Sequence, residues 1–318
     1  MSEKAYRTGK CPKCLEELTV PEELEEFSCM YCGARLTQKD LAAGTAEPVE
    51  QLAEDEGEAA FRAAAGRLAG CISGYAGYNR KITRDEFAPA FEVYEAGCAP
   101  VLRELDRVIC AQESRRGELT RRAAKQLLDD LEAAWRADDR WKRKAAQTGM
   151  LEDDKIIVAI FLVPMTRRLE LSISEDFCKE LQSEWVARYP KSPFFLGDYD
   201  SIAGGFRKKF LGLCFITTAV CEAQGLPDDC AELTAFRAFR DGYLRSCDDG
   251  AALIDEYYNI APGIVSCINV CENRAEKYAE IREKYLDACY ADIQAGRNER
   301  CKQRYVRMVR ELEREYLS

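Results

Sequence analysis

The chain has 318 residues, 47% of them apolar, with 46 Lys+Arg against 56 Asp+Glu and no histidine. That length accommodates a small module plus one or two packed domains, and the net charge of −10 argues against a general nucleic-acid surface, which needs a basic patch or stripe. Without an imidazole, Ser-His-Asp and Cys-His catalysis and every His-ligated metal site are excluded, so any metal must be held by thiolates or carboxylates.

Residues 9–36 form the first unit. "CPKC" at Cys11–Cys14 and "CMYCG" at Cys29–Gly33 are separated by the fourteen residues "LEELTVPEELEEFS". Two C-x-x-C pairs can close a tetrahedral thiolate shell, each pair turning the backbone around one side of the ion. The intervening segment holds strand candidates at Leu18–Val20 and Glu26–Ser28, with Pro21 at the turn. So small a unit buries too little surface to fold unaided, which makes metal binding and folding one event. It resembles a zinc ribbon, and the resemblance implies one Zn2+ per chain on Cys11, Cys14, Cys29 and Cys32. Leu15 departs from the glycine of many ribbon knuckles but leaves the ligand set complete. The rivals are an iron centre of rubredoxin type and four unliganded core thiols.

Residues 37–56, "TQKDLAAGTAEPVEQLAEDE", are small, polar and acidic and read as a linker. From residue 57 the pattern is helical, so the expected fold is mainly α: a small ribbon of β-hairpins joined to an all-α body. The body divides into a helical domain, 57–213, and a C-terminal helical region, 214–318, packed upon it. In the segment 84–112, Val93, Tyr94, Val101, Leu102, Leu105 and Ile109 recur at turn-like spacings, with Pro89 and Pro100 expected to break or bend the helix. Leu127, Leu128, Leu131 and Trp135 mark one face of a cleaner helix. "IIVAIFLVPM", Ile156–Met165, is too short to span a bilayer and reads as a buried helix. The next helix is expected to open on a Ser174 cap and close at Pro190. "KSPFFLGDYDSIAGGFRKK" reads as loop, and "GGFRKKF" at Gly204–Phe210 as a solvated basic turn that lacks the order of a phosphate-binding loop. Carboxylate pairs Asp153–Asp154 and Asp248–Asp249 are assigned to helix starts, where the dipole favours them.

The segment "CFITTAVCEAQGLPDDCAELTAFRAFRDGYL" at Cys214–Leu244 crowds three cysteines beside an arginine-bearing helix. Asp229 and Glu232 have capping-box spacing, and Arg237 with Asp241 has the four-residue spacing of a helical ion pair. "DDGAALIDEYYNIAP" adds a helix expected to close at Pro262. Cys214, Phe215, Ile216, Thr218 and Ala219, then Phe236, Arg237, Phe239, Arg240, Asp241 and Leu244, then Tyr257, Tyr258 and Pro262 follow a fixed order. That order resembles the bacterial C-terminal box named for its Cys-Phe-Ile start, the CFI-box. "VCEAQG" and Ala261 depart from the usual pattern, so a hydroxyl before the proline is not required. The resemblance implies a module and no particular reaction. Together with the ribbon, it is similar to uncharacterised cytoplasmic proteins of anaerobic Gram-positive bacteria. Beyond the box, Tyr278, Ile281, Tyr285 and Cys289, and then Tyr305, Val309, Leu312 and Tyr316, mark amphipathic helices.

Three functions compete. The preferred one is a zinc-binding, non-enzymatic adaptor whose partner is another protein. A thiol-dependent enzyme centred on Cys214 needs a cationic neighbour to lower the thiol, and Arg207, Lys208 and Lys209 lie just upstream. Nucleic-acid binding through the ribbon is disfavoured, because residues 1–39 carry six Lys/Arg against seven Glu. Sixteen cysteines and no apolar leader-like run in residues 1–20 place the protein in the cytoplasm, without a membrane span. Cys267 and Cys271 share a helical face and read as core. The ligand spacing generates the first prediction. Elemental analysis of protein purified without added metal should find one zinc per chain, and a variant with all four cysteines changed to serine should retain none.

Overall fold

The computed structural model describes residues 6–11, 17–21, 23–30, 33–38, 40, 54–207 and 214–317. The described residues form two antiparallel hairpins followed by a helical body. Strand β1 (Tyr6–Lys10) pairs with β2 (Glu17–Pro21), Tyr6 opposite Pro21. Strand β3 (Glu26–Ser28) pairs with β4 (Arg35–Thr37), Glu26 opposite Thr37. Both strands anticipated from sequence are present, but each pairs with a neighbour that the sequence did not announce. Tyr6–Lys10 and Arg35–Thr37 carry too few apolar residues to alternate visibly. The β-structure runs from Tyr6 to Thr37, slightly beyond the 9–36 unit expected. Most of the 37–56 linker lies outside the described residues, and its last residues already belong to the first helix.

The body begins with α1 (Glu54–Ala65), which packs on α2 (Phe87–Cys110) and α3 (Arg116–Ala137). A continuous rod follows: α4 (Lys144–Ile157), a π-helical stretch (Val158–Leu162) and α5 (Val163–Arg168). Ile156–Met165 is buried throughout, as its composition required. Helix α6 (Ser174–Arg188) lies along α3, and α7 (Tyr199–Arg207) leads toward the C-terminal region. There α8 (Phe215–Ala223), α9 (Ala231–Ala238) with a π-helical extension (Phe239–Leu244), and α10 (Gly250–Asn269) carry the box. Helix α11 (Arg274–Ile281), a third π-helical stretch (Arg282–Leu286), α12 (Asp287–Gln294) and α13 (Asn298–Tyr316) complete the chain. Among the described residues, no helix is long and apolar enough to cross a membrane.

Several local expectations are overturned by packing. Pro100 and Pro262 sit inside α2 and α10, and both helices continue through them. Each proline removes one backbone donor, yet the helix on either side remains anchored by buried residues such as Ala99 and Leu102, or Ala261 and Ile264. Pro89 falls in the first turn of α2, where its missing N–H has no intrahelical partner to lose. Val93 is 59% exposed, while the rest of its predicted set is buried. Ser174 is not a cap: its hydroxyl donates to the Thr166 carbonyl at 2.6 Å and accepts the Leu171 N–H at 3.0 Å, pinning the α5–α6 turn. The stretch read as loop contains α7, so Gly204–Arg207 is helical; residues 208–210 lie outside the described residues.

One buried core runs through both halves of the body. Phe87 of α2 stacks on Phe206 of α7, with ring centroids 4.8 Å apart. The Arg84 N–H donates to the Asn259 carbonyl at 2.9 Å, and the Phe195 N–H donates to the Val270 carbonyl at 2.7 Å. The closest approach is at Gly263 of α10, where a Cβ would stand 1.7 Å from the Ile82 carbonyl oxygen. Gly204 in α7 has nothing within 4 Å of its would-be Cβ. Gly263→Ala should therefore destabilise by about 1–3 kcal/mol or more. Gly204→Ala should stabilise by about 0.5–1 kcal/mol, because alanine loses less entropy in a helix. Urea melts of the two variants, read by circular dichroism, check the pair.

Candidate functional site

The three parts of the box converge on one guanidinium. Cys214 immediately precedes α8, Arg240 lies in the π-helical extension of α9, and Tyr257 and Tyr258 lie on α10. Arg240 is buried. Its Nε donates to Asp241 Oδ1 at 2.9 Å and its Nη2 to Asp241 Oδ2 at 2.7 Å. Its Nη1 donates to the Tyr258 hydroxyl at 3.1 Å and points at the Cys214 sulfur, 3.7 Å away. Tyr257 acts beside it: its hydroxyl accepts the Ile216 N–H at 2.9 Å, satisfying one of the backbone donors left open at the start of α8. The Tyr257 and Tyr305 hydroxyls lie 3.4 Å apart, and Tyr305 meets the Thr217 hydroxyl at 3.1 Å. The last part of the box thus caps the first, while the middle part supplies the buried charge.

The spacing of Arg237 and Asp241 suggested an ion pair that does not form. Arg237 instead reaches back to Asp228, donating to its carbonyl at 2.7 Å and its carboxylate at 2.6 Å. The reason is the change to π-helical winding at Phe239, which replaces the i,i+4 step by i,i+5 and turns Asp241 toward Arg240. The capping box also fails: Cys230 precedes α9, and no side chain caps it. Ile216, Phe236 and Phe239 are buried as expected, whereas Phe215 is half-buried, its ring edge-on to Tyr258 with centroids 5.9 Å apart.

Above the guanidinium lies a narrow apolar groove with about 60 Å³ of accessible space. Phe236, Phe239 and Leu244 form one wall, Leu253 and Ile254 of α10 a second, and Val306 and Val309 of α13 a third. Cys214 and Arg240 line it, and the Glu256–Arg310 ion pair borders it, with Nη2 to Oε2 at 2.8 Å. No sequence signal pointed to this groove, because its walls come from three helices far apart along the chain.

Cys214 is 5% exposed. Burial pushes its thiol up to about 11, and the nearby Arg240 and Arg237 guanidiniums offset only part of that rise. Of the cations in the preceding segment, Lys208 and Lys209 lie outside the described residues, and Arg207 is the last residue of α7. Other chemistry-bearing groups are placed as packing. Cys267 and Cys271 are buried, with the Cys271 thiol 3.3 Å from the Cys267 carbonyl. Buried Lys155 and Ser192 and half-buried Glu152 form a triad in which Lys155 donates to Ser192 at 3.0 Å. Asp153 and Asp154 occupy the second half of α4, not a helix start. Burial raises the Asp154 carboxyl to about 6, against a hydrogen bond from the Trp135 indole at 2.7 Å. Asp249 does precede α10 and pairs with Lys302.

In the hairpins, Cys11 and Cys29, one from each C-x-x-C pair, are buried in a single small cluster with Leu18, Val20 and Leu36. Gly33 has φ +72° and its N–H donates to the Cys29 carbonyl at 2.8 Å, the tight turn that a thiolate knuckle requires. Cys14 and Cys32 lie outside the described residues, and among those described no group of three or more His, Cys, Asp or Glu is placed to hold a metal. What is described fits a four-thiolate ion: two donors from opposite knuckles share one core, and one knuckle has its turn. No family model, curated protein or solved structure matches the chain.

The burial of Cys214 orders its variants. Phe236→Ala should cost about 3–5 kcal/mol of stability and Cys214→Ala clearly less, as denaturant melts would show. Iodoacetamide at pH 8 should label the half-buried Cys230 and Cys247 before Cys214, with peptide mass spectrometry as the readout.

Proposed function

We propose that the protein is a non-enzymatic adaptor of the cytoplasm, in which an N-terminal zinc ribbon held by Cys11, Cys14, Cys29 and Cys32 contacts a partner protein and the helical body carries it. The observation behind this reading is where the large apolar side chains are left outside. Tyr6 is 56% exposed, Leu24 44% and Met30 76%, all three on the hairpins. Among the described residues of the much larger body, only Val93 and Phe195 are comparably exposed. A unit this small has no spare apolar residues, so three such side chains left in water signal a contact surface. Aromatic residues and methionine are also the types enriched at protein interfaces.

Nucleic-acid binding has less support, because Glu23, Glu25 and Glu26 stand near the same hairpins and no basic stripe offsets them. The thiol-enzyme reading has the Arg240 contact in its favour, but a buried thiol raised to about 11 is mostly protonated at neutral pH. The twelve cysteines of the body are all thiols, which suits a reducing compartment.

Co-purification from the cells that make the protein tests the adaptor. A stoichiometric protein partner should be retained by the native chain in the presence of nuclease. It should be lost with Tyr6→Asp plus Met30→Asp, and lost again with Cys11→Ser, while the helical melt of the body is unchanged. Retention that ignores the hairpin variants would reject the ribbon as the contact surface, and a nuclease-sensitive complex would favour nucleic acid.

A further inference from the structure

We propose that Arg297, Arg300 and Arg304 form a receptor for one phosphate monoester dianion, a phosphoserine or phosphothreonine displayed on a partner protein. All three guanidiniums converge on a single carboxylate, Asp292 of α12, whose side chain is 3% exposed. Arg297 Nε donates to Asp292 Oδ1 at 2.8 Å. The Nε atoms of Arg300 and Arg304 lie 3.7 and 3.5 Å from Oδ2. The chain path brings them together. Gly296, at φ +69°, turns α12 into α13, and the Arg297 N–H donates back to the Asp292 carbonyl at 2.8 Å. Arg300 and Arg304, four residues apart, then share one face of α13.

One cation is enough to match a buried carboxylate. Three guanidiniums against one carboxylate leave a surplus of two positive charges, in a chain whose net charge is −10. Among the described residues, no other carboxylate stands within ion-pair distance of any of the three. Glu299, nearest along the chain, instead accepts from the Tyr243 hydroxyl at 2.9 Å and from Gln303 at 3.0 Å. Beyond Asp292, the one acceptor that the trio finds among the described residues is the Ala291 carbonyl, 3.5 Å from Arg297 Nη2. A phosphate monoester carries a charge of about −1.5 to −2 and three strong acceptor oxygens, which matches that surplus. A ligand carboxylate supplies about half the charge. Arginine forks pair with phosphate in plane, and clusters of them recognise phosphorylated side chains. Asp292 holds the forks from their Nε side before any ligand arrives. The side chains of Arg297 and Arg300 are 50% and 65% exposed, so the receptor is open on its outer side. An open receptor suits a phosphate presented by a large partner, since small molecules are bound in enclosing pockets. The overall negative charge disfavours a polyanion such as nucleic acid.

Ligand-observed NMR titration of the full chain with the end-capped peptide Ala-Ala-phosphoserine-Ala-Ala and its serine counterpart tests this. The phosphopeptide should bind, the serine peptide should not, and inorganic phosphate should compete. Arg300 is the most exposed of the trio, so Arg300→Ala should melt like the native chain and weaken the phosphopeptide about 3- to 10-fold. Arg300→Glu should abolish binding. Arg314→Ala removes the same charge about 15 Å or more further along α13 and should leave the affinity within about 2-fold. If the Arg300 variants fail to melt cooperatively, Arg297→Lys decides: it keeps the charge beside Asp292, loses the fork and should still weaken the phosphopeptide. Absence of phosphopeptide binding, equal binding of the serine peptide, or a folded Arg300→Glu or Arg297→Lys that binds like the native chain would each overturn the proposal. So would equal losses in Arg300→Ala and Arg314→Ala, or tighter binding of phenyl phosphate or of a short oligodeoxythymidylate than of the phosphopeptide.

Discussion

Arg240 carries a charge that cannot be removed, in a place largely withdrawn from water. Guanidinium stays protonated at any physiological pH, and an unpaired charge in the interior costs several kcal/mol. The surrounding chain is arranged to meet that demand. Asp241 occupies the Nε–Nη2 edge of the fork, and Nη1 meets the Tyr258 hydroxyl and the Cys214 sulfur. Because these residues come from three helices, satisfying one guanidinium fixes how α8, α9 and α10 meet. The Tyr257 bond to the Ile216 N–H fixes the same junction from the other side. The order of these residues along Cys214–Pro262 thus matches the way the segment folds around one guanidinium.

The groove is a consequence of that arrangement. The π-helical extension of α9 turns both Phe239 and Arg240 into buried positions on consecutive residues, which a surface α-helix with a single apolar stripe does not readily allow. Helix α13 completes the groove, its Val306 and Val309 lining it together with Leu253 and Ile254 of α10. Gly263 performs a related role at the far end of α10, admitting the Ile82 carbonyl where any side chain would clash. Small local departures from ideal helix therefore decide where the body closes tightly and where it leaves space.

The hairpins follow different physics. Their apolar core in the described residues is Cys11, Leu18, Val20, Cys29 and Leu36, with Phe27 and Ala34 alongside. Burial on that scale does not offset the backbone entropy of some thirty residues. Metal–thiolate bonds supply what the core lacks in proteins built this way. The same economy leaves Tyr6, Leu24 and Met30 facing water.

The paired cysteine spacing, the absence of histidine and the helical periodicity of Leu127–Trp135 or Tyr278–Cys289 were legible in the sequence, because each is a property of residues near one another along the chain. So was the buried character of Ile156–Met165, where every side chain is apolar or small. The order of the box residues was legible too, but not their purpose. Pro262 looked like a helix end, Arg237 and Asp241 like a pair, Ser174 like a cap, and Asp153–Asp154 like a helix start. In each case local rules gave way to a partner from elsewhere. The Ser174 hydroxyl reaches back to Thr166, Arg237 finds Asp228, Asp154 finds the Trp135 indole, and α10 runs on through Pro262 against Ile82. Sequence spacing encodes interactions worth a few tenths of a kcal/mol, whereas burial against distant helices is worth several times more per side chain. Tertiary packing therefore decided the pairing of the arginines, the burial of Cys214 and the existence of the groove.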